Sequence, residues 1–274
     1  MSHFTVAVFT RNGVDEVDDL LAPYDENISV APYVANTKEQ LIQRERDQLQ
    51  VLLEGPYAQW QKDPQKYEAD HKNPEHIAYL KSIPELLARS DEQIYTAVIE
   101  RYDKEEITPD GGVLSTYNPS SKWDWYQIGG RWTGMLILKE GCDGYRGSPG
   151  LMTEPSEDYD SALVSDIDFE AMWERYSKHL APYEEAMKNG FYKEEFMREQ
   201  YPSEEEYIRR QTTFSTYAVI TPDGAWHAPG DMSWWGMSSD TSAESRDWDL
   251  NYYDRFIQPA IENGWHMTIV DCHI

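Results

Sequence analysis

Basic residues are scarce in this 274-residue chain: 24 Lys and Arg stand against 50 Asp and Glu, a formal net charge of -26. Nucleic acids and anionic membranes bind proteins through clustered Lys and Arg, so this composition argues against direct DNA binding and against a membrane surface. Cysteine is nearly absent. Cys142 and Cys272 are too few for a disulfide framework or a zinc ribbon. There is no run of eighteen apolar residues, and the N-terminus lacks a basic stretch followed by a signal-like apolar segment. The expected location is therefore the cytoplasm in which the chain is made. The common catalytic and cofactor fingerprints are missing too: no P-loop, GxSxG, HExxH or Rossmann pattern occurs. No cofactor and no metal are expected, motifs assign no catalytic residues, and an enzyme of a common class is disfavoured.

What is present concentrates in Tyr117 to Leu138, YNPSSKWDWYQIGGRWTGMLIL. Residues 123–128 alternate, 132–138 are rich in strand-formers, and Gly129-Gly130 between them is the signal for a two-residue hairpin. Alternation would put Trp123, Trp125, Gln127, Trp132, Gly134 and Leu136 on one face, the ordinary core face. Asp124, Tyr126, Ile128, Arg131, Thr133 and Met135 would share the other. Glycines let a ligand approach backbone amides, and the planar fork of an arginine suits phosphate or carboxylate. The residues expected to hold a ligand are therefore Gly129, Gly130 and Arg131, with Tyr126 and Trp234 or Trp235 stacking on a base. The ordinary alternative for Arg131 is an ion pair with a nearby carboxylate. Residues 111–153 carry 3 acids and 4 bases, the one stretch that escapes the acidic excess.

The rest of the chain predicts one α+β domain with a mostly antiparallel central sheet covered by helices. Strands are expected near 4–9, 113–116, 123–128, 132–138, 214–220 and 266–272, with Trp226 returning beside the fifth. Helices are expected within 37–103, 166–210 and 243–262, those near 37–103 and 160–212 as insertions. Thr37/Gln40, Ser90/Gln93, Ser203/Glu206 and Thr241/Glu244 have capping-box spacing. Pro56, Pro64, Pro74 and Pro84 should divide the first helical stretch. Phe169, Trp173, Tyr176, Leu180, Tyr183 and Met187 recur at helical spacing and read as core, with a kink at Pro182. Thr-Pro-Asp-Gly occurs at 108–111 and again at 221–224, each a hairpin turn.

For proton transfer the candidates are Asp124, His227, Asp231 and Asp271. If the first and last strands are neighbours, His3, Asp271 and His273 would converge, as ordinary hydrogen-bonded sheet residues or, Asp271 and His273 being an i, i+2 pair on one face, as metal ligands, though no spacing signature supports a metal site. HFTVAVFT, LAPYDEN, NPSSKWDWYQIGGRW, MSWWGM and VDCHI together resemble an uncharacterised group of bacteriophage-encoded proteins. That resemblance implies a context, a phage protein in the bacterial cytoplasm acting on host metabolism or defence, and carries over no catalytic residue. Three functions follow as expectations. The first is a phage accessory, anti-defence protein that binds a small nucleotide-type anion. The second is an acidic inhibitor or nucleic-acid mimic that binds a host defence protein, and the third is an unusual phosphodiesterase or nuclease.

Overall fold

The computed structural model describes residues 2–150, 154, 156–188, 190–233 and 236–274. Nine strands are described: β1 (His3–Thr10), β2 (Tyr33–Asn36), β3 (Val113–Ser115), β4 (Trp125–Ile128), β5 (Gly144–Tyr145), β6 (Ser161–Leu163), β7 (Ala218–Ile220), β8 (Trp226–His227) and β9 (His266–His273). The fold is α+β with a mostly antiparallel sheet, as expected. The chain falls into two compact units, one made of Met1–Ile28 with Asn118–Ile274 and the other of Ser29–Tyr117.

In the first unit seven strands run β5-β6-β9-β1-β7-β8, and β4 pairs with β9 as well. Among the described strands only the β1/β7 pairing is parallel. The last strand is thus the centre of the sheet, lined by β1 on one side and by β6 and then β4 on the other. Its sequence accounts for this: Met267, Ile269, Val270 and Cys272 are all fully buried. Burying an aliphatic side chain stabilises by about 1.5–3 kcal/mol, which favours a strand buried on both faces. One face packs Ala7, Phe9, Met267 and Ile269 against Trp248, Tyr252 and Ile257. The other packs Phe4, Val6, Val270 and Cys272 against Val17, Leu21 and Trp123.

In the second unit β2 and β3 form a separate antiparallel pair, so the strand expected near 113–116 is not part of the central sheet. Leu41, Ile42, Ile94, Val98 and Val113 form one small core, and Tyr67, Ile77, Leu80 and Ile83 another. The capping boxes at Thr37/Gln40 and Ser90/Gln93 both form. Only two of the four prolines divide helices. Pro64 and Pro74 occupy first turns, where a missing N–H costs nothing. Pro56 sits in a widened π turn at Leu53–Tyr57 and Pro84 lies inside the helix Pro74–Leu87.

Three further expectations need correction. Residues 132–138 are not a strand: Gly129 and Gly130 do take positive φ (80° and 58°), but the chain leaves the sheet there instead of reversing into a hairpin. The partner of β4 is β9, about 140 residues away, and sequence alternation cannot tell a distant partner from a local one. Tyr126 and Arg131 therefore do not share a hairpin face. The aromatic stripe is broken into Phe169–Ser177 and Tyr183–Met187, with Pro182 capping the second helix. Met172 and Met187 are buried, whereas Trp173 is 47% exposed. Both Thr-Pro-Asp-Gly turns close alike, with the threonine hydroxyl donating to the aspartate at 2.5 and 2.6 Å.

Candidate functional site

Ser2 and Ile274 exchange both backbone hydrogen bonds, each 3.1 Å. In an antiparallel pair the next residues along, His3 and His273, are then a non-hydrogen-bonded pair, the kind that brings side chains closest. Their rings meet edge to face with centroids 4.8 Å apart. Alternation puts His3, Thr5, Asp271 and His273 on one face, and the register of β4 adds Trp125 opposite His273 and Gln127 opposite Asp271.

Each imidazole is held by its own carboxylate. His3 Nδ1 lies 2.8 Å from Asp271 Oδ1, and His273 Nδ1 lies 2.5 Å from Asp124 Oδ1. A carboxylate accepts, so Nδ1 donates in both pairs and Nε2 is left for chemistry. Among the described residues neither Nε2 has a hydrogen-bond partner. Asp271 is fully buried, Asp124 about a quarter exposed. Trp125 stands at the rim, 47% exposed, with its ring 5.9 Å from that of His3 and 6.4 Å from that of His273.

Asp271 also joins this pair to the glycine-arginine turn. Its Oδ2 accepts from the backbone N–H of Arg131 at 3.1 Å and lies 4.0 Å from Arg131 Nε. That Nε is buried and makes no hydrogen bond among the described residues, while the side chain as a whole is 21% exposed. The cation is thus placed beside its own carboxylate without a geometrically good hydrogen bond to it. Gly130 is required for the approach: a Cβ there would stand 2.7 Å from both Cβ and Oδ2 of Asp271, on a backbone with φ of 58°. Gly130→Ala is expected to destabilise the protein by at least ~1–2 kcal/mol, the cost of a left-handed non-glycine residue. A thermal melt that leaves Tm unchanged would show that the turn is not held as described.

The other residues expected to bind ligand fall elsewhere. Tyr126 points to the opposite face, where it packs edge-on against Trp123 and donates to Asp18 at 2.7 Å. Burial and the Asp18 carboxylate push its hydroxyl well above the usual tyrosine range. Trp234 and Trp235 lie outside the described residues. Asp231 is paired with Lys122 at 2.6 Å and lines a pocket of about 180 Å³ with Phe4, Tyr217 and Trp226. His227 contacts Thr221 and the ring of Phe256. Neither is brought to the paired histidines.

Cys272, between Asp271 and His273, faces the other side of the sheet and is fully buried. Burial, then the neighbouring Asp271, raises its pKa well above the usual thiol range, so it is no nucleophile at neutral pH. Thiol titration of the native protein is expected to miss Cys272 and to count two thiols after denaturation. Reaction of both in the native state would contradict this burial.

Four stretches separated along the sequence meet around this place. HFTV contributes His3, the central stretch Asp124, Trp125 and Arg131, and VDCHI Asp271 and His273. Asn27, from LAPYDEN, donates to the Asp124 carbonyl at 2.8 Å. Gly236, from MSWWGM, lies instead against Ser2, where a Cβ on it would stand 3.2 Å from Ser2 Oγ, and Ser2 alternates onto the face opposite His3. Sequence reasoning found His3, Asp271 and His273 only conditionally, since it could not establish that the two ends of the chain pair. It gave Trp125 to the core, and nothing in the alternation marks it as exposed. No group of three or more His, Cys, Asp or Glu among the described residues has an arrangement that could hold a metal ion. No described helix is long and apolar enough to cross a membrane. No protein-family model, curated protein or solved structure matches the chain.

Proposed function

We propose that the protein binds a small anionic, nucleotide-type ligand at the paired-histidine face and cleaves a phosphodiester bond in it. The observation that carries the reading is the pair of carboxylate-held imidazoles, 4.8 Å apart, with Arg131 fixed through Asp271. Phosphodiester cleavage needs one group to take a proton from the nucleophile and another to give one to the leaving oxygen. Two imidazoles with their Nε2 atoms uncommitted supply both. The guanidinium supports the charge of the phosphate, and the exposed indole of Trp125 offers the stacking surface that the sequence had assigned to Tyr126. A net charge of -26 favours a small ligand over a polymer, because a long polyanion is repelled by the rest of the surface. In the phage context that the sequence resembles, such a ligand would be a nucleotide-derived defence signal.

Calorimetric titration with a nucleotide panel, Arg131→Ala as control, tests binding, and chromatography of ribo- and deoxyribodinucleotides after incubation tests cleavage. Absence of both heat and products with folded protein would defeat the reading.

A second reading rests on the surface. Phe191 is 83% exposed, and Tyr192 and Phe196 beside it are also exposed, in a segment of mixed charge that carries Lys193, Glu194, Glu195, Arg198 and Glu199. Exposed rings on a chain whose net charge is -26 suit a basic host protein, the partner of an inhibitor. Capture of such a protein should weaken as salt rises.

A further inference from the structure

The paired-histidine face holds two proton-transfer groups and a cation, but among the described residues no side chain stands there as a nucleophile. The Thr5 hydroxyl accepts from the Tyr217 backbone N–H at 3.1 Å, and the Cys272 thiol faces the opposite side of the sheet. The attacking oxygen must then arrive with the substrate or from solvent. His3 and His273 come from adjacent strands and their rings are 4.8 Å apart, leaving little room to seat a separate water between the base and the phosphorus. A hydroxyl already attached next to the phosphate needs no such room, because it is delivered in position by the ribose itself.

We infer that the substrate is a small ribonucleotide phosphodiester and that its own 2′-hydroxyl is the nucleophile. This rests on the cleavage reading above and adds the substrate class. One imidazole, neutral at Nε2, takes the proton of the 2′-hydroxyl as that oxygen bonds to phosphorus. The bond from phosphorus to the 5′-oxygen breaks, and the other imidazole, protonated at Nε2, gives its proton to that oxygen. The products are a 2′,3′-cyclic phosphate and a free 5′-hydroxyl, and no co-reactant is consumed. Arg131 faces the charge that builds on the non-bridging oxygens, and Trp125 offers its indole to one base. Asp271 and Asp124 are positioning residues: each acts by fixing the tautomer of its histidine.

The test compares a 3′,5′-linked ribodinucleotide with the same dinucleotide lacking the 2′-hydroxyl, using the whole wild-type protein and mass analysis of the products. The expected result is a 2′,3′-cyclic phosphate from the first and no detectable turnover of the second. Cleavage of both at similar rates, or a linear monophosphate formed directly from water, would overturn the inference and leave the cleavage reading intact. Cleavage of neither would remove both. A second measurement uses a ribonucleoside 3′-(p-nitrophenyl phosphate), whose leaving group departs without a proton. One of His3→Gln and His273→Gln, the variant lacking the acid, should recover toward the wild-type rate on this substrate by about 10²-fold. If neither variant recovers, the division of labour between the two imidazoles is refuted.

Discussion

His273→Gln is expected to lower phosphodiester turnover by ~10²–10⁴-fold, the usual contribution of a positioned general acid or base, with His3→Gln similar. Glutamine keeps a polar side chain of comparable reach, so the sheet should survive; circular dichroism and the thermal melt check that. The effect should fall on kcat. Arg131→Ala, by contrast, removes the charge proposed to meet the phosphate in both ground and transition states, so KM should rise as well. The double variant should cost less than the product of the two single losses, because base and acid act as one unit. Asp124→Asn, which frees the tautomer of His273 without removing the ring, should move activity in the same direction. Single-histidine variants that retain full activity would mean that the two imidazoles serve only the sheet.

The second large effect concerns stability. Asp160 is fully buried, and its carboxylate accepts from the backbone N–H of Leu136 at 2.9 Å and of Gly147 at 3.0 Å. Its own carbonyl accepts from Ile269 on β9 at 3.1 Å. One side chain thus anchors both ends of the irregular segment that follows the glycine turn, and does so beside the central strand. Asp160→Ala would strand two buried donors. At about 1–3 kcal/mol for each unsatisfied group, the loss is on the order of 3 kcal/mol. At roughly 2–4 °C per kcal/mol for a unit of this size, Tm should fall by about 10 °C. Asp160→Asn keeps one acceptor oxygen and should fall between wild type and Ala. Equal melting of all three proteins would show that the segment is held by its apolar contacts, with Leu136 the first to examine.

Much of this molecule was legible before its coordinates. The alternating run at β1, the apolar C-terminal run at β9, the β7–β8 turn at Thr221–Gly224 and the capping box at Thr241/Glu244 all formed where local chemistry placed them. Each depends on neighbours within a few residues: side-chain alternation, a threonine donating to an aspartate, a hydroxyl satisfying a helix N-terminus. Positive φ at Gly129 and Gly130 was readable for the same reason. The direction in which the chain leaves that turn was not. It is set by Asp158 and Tyr159 lying against Gly129 and by Asp271 against Gly130, contacts made across distant parts of the sequence.

The sequence by itself therefore determined those elements whose signals are local, the acidic excess and the residue types available for chemistry. Which of those residues meet was decided only by the pairing of β1 and β4 with β9. That pairing turns an isolated histidine near each terminus and one aspartate at mid-chain into a single cluster. It also moved Tyr126 away from Arg131 and left Trp125 exposed. The reason is general: alternation fixes which way a side chain points from its own strand, but only the burial of the assembled sheet selects the strand beside it.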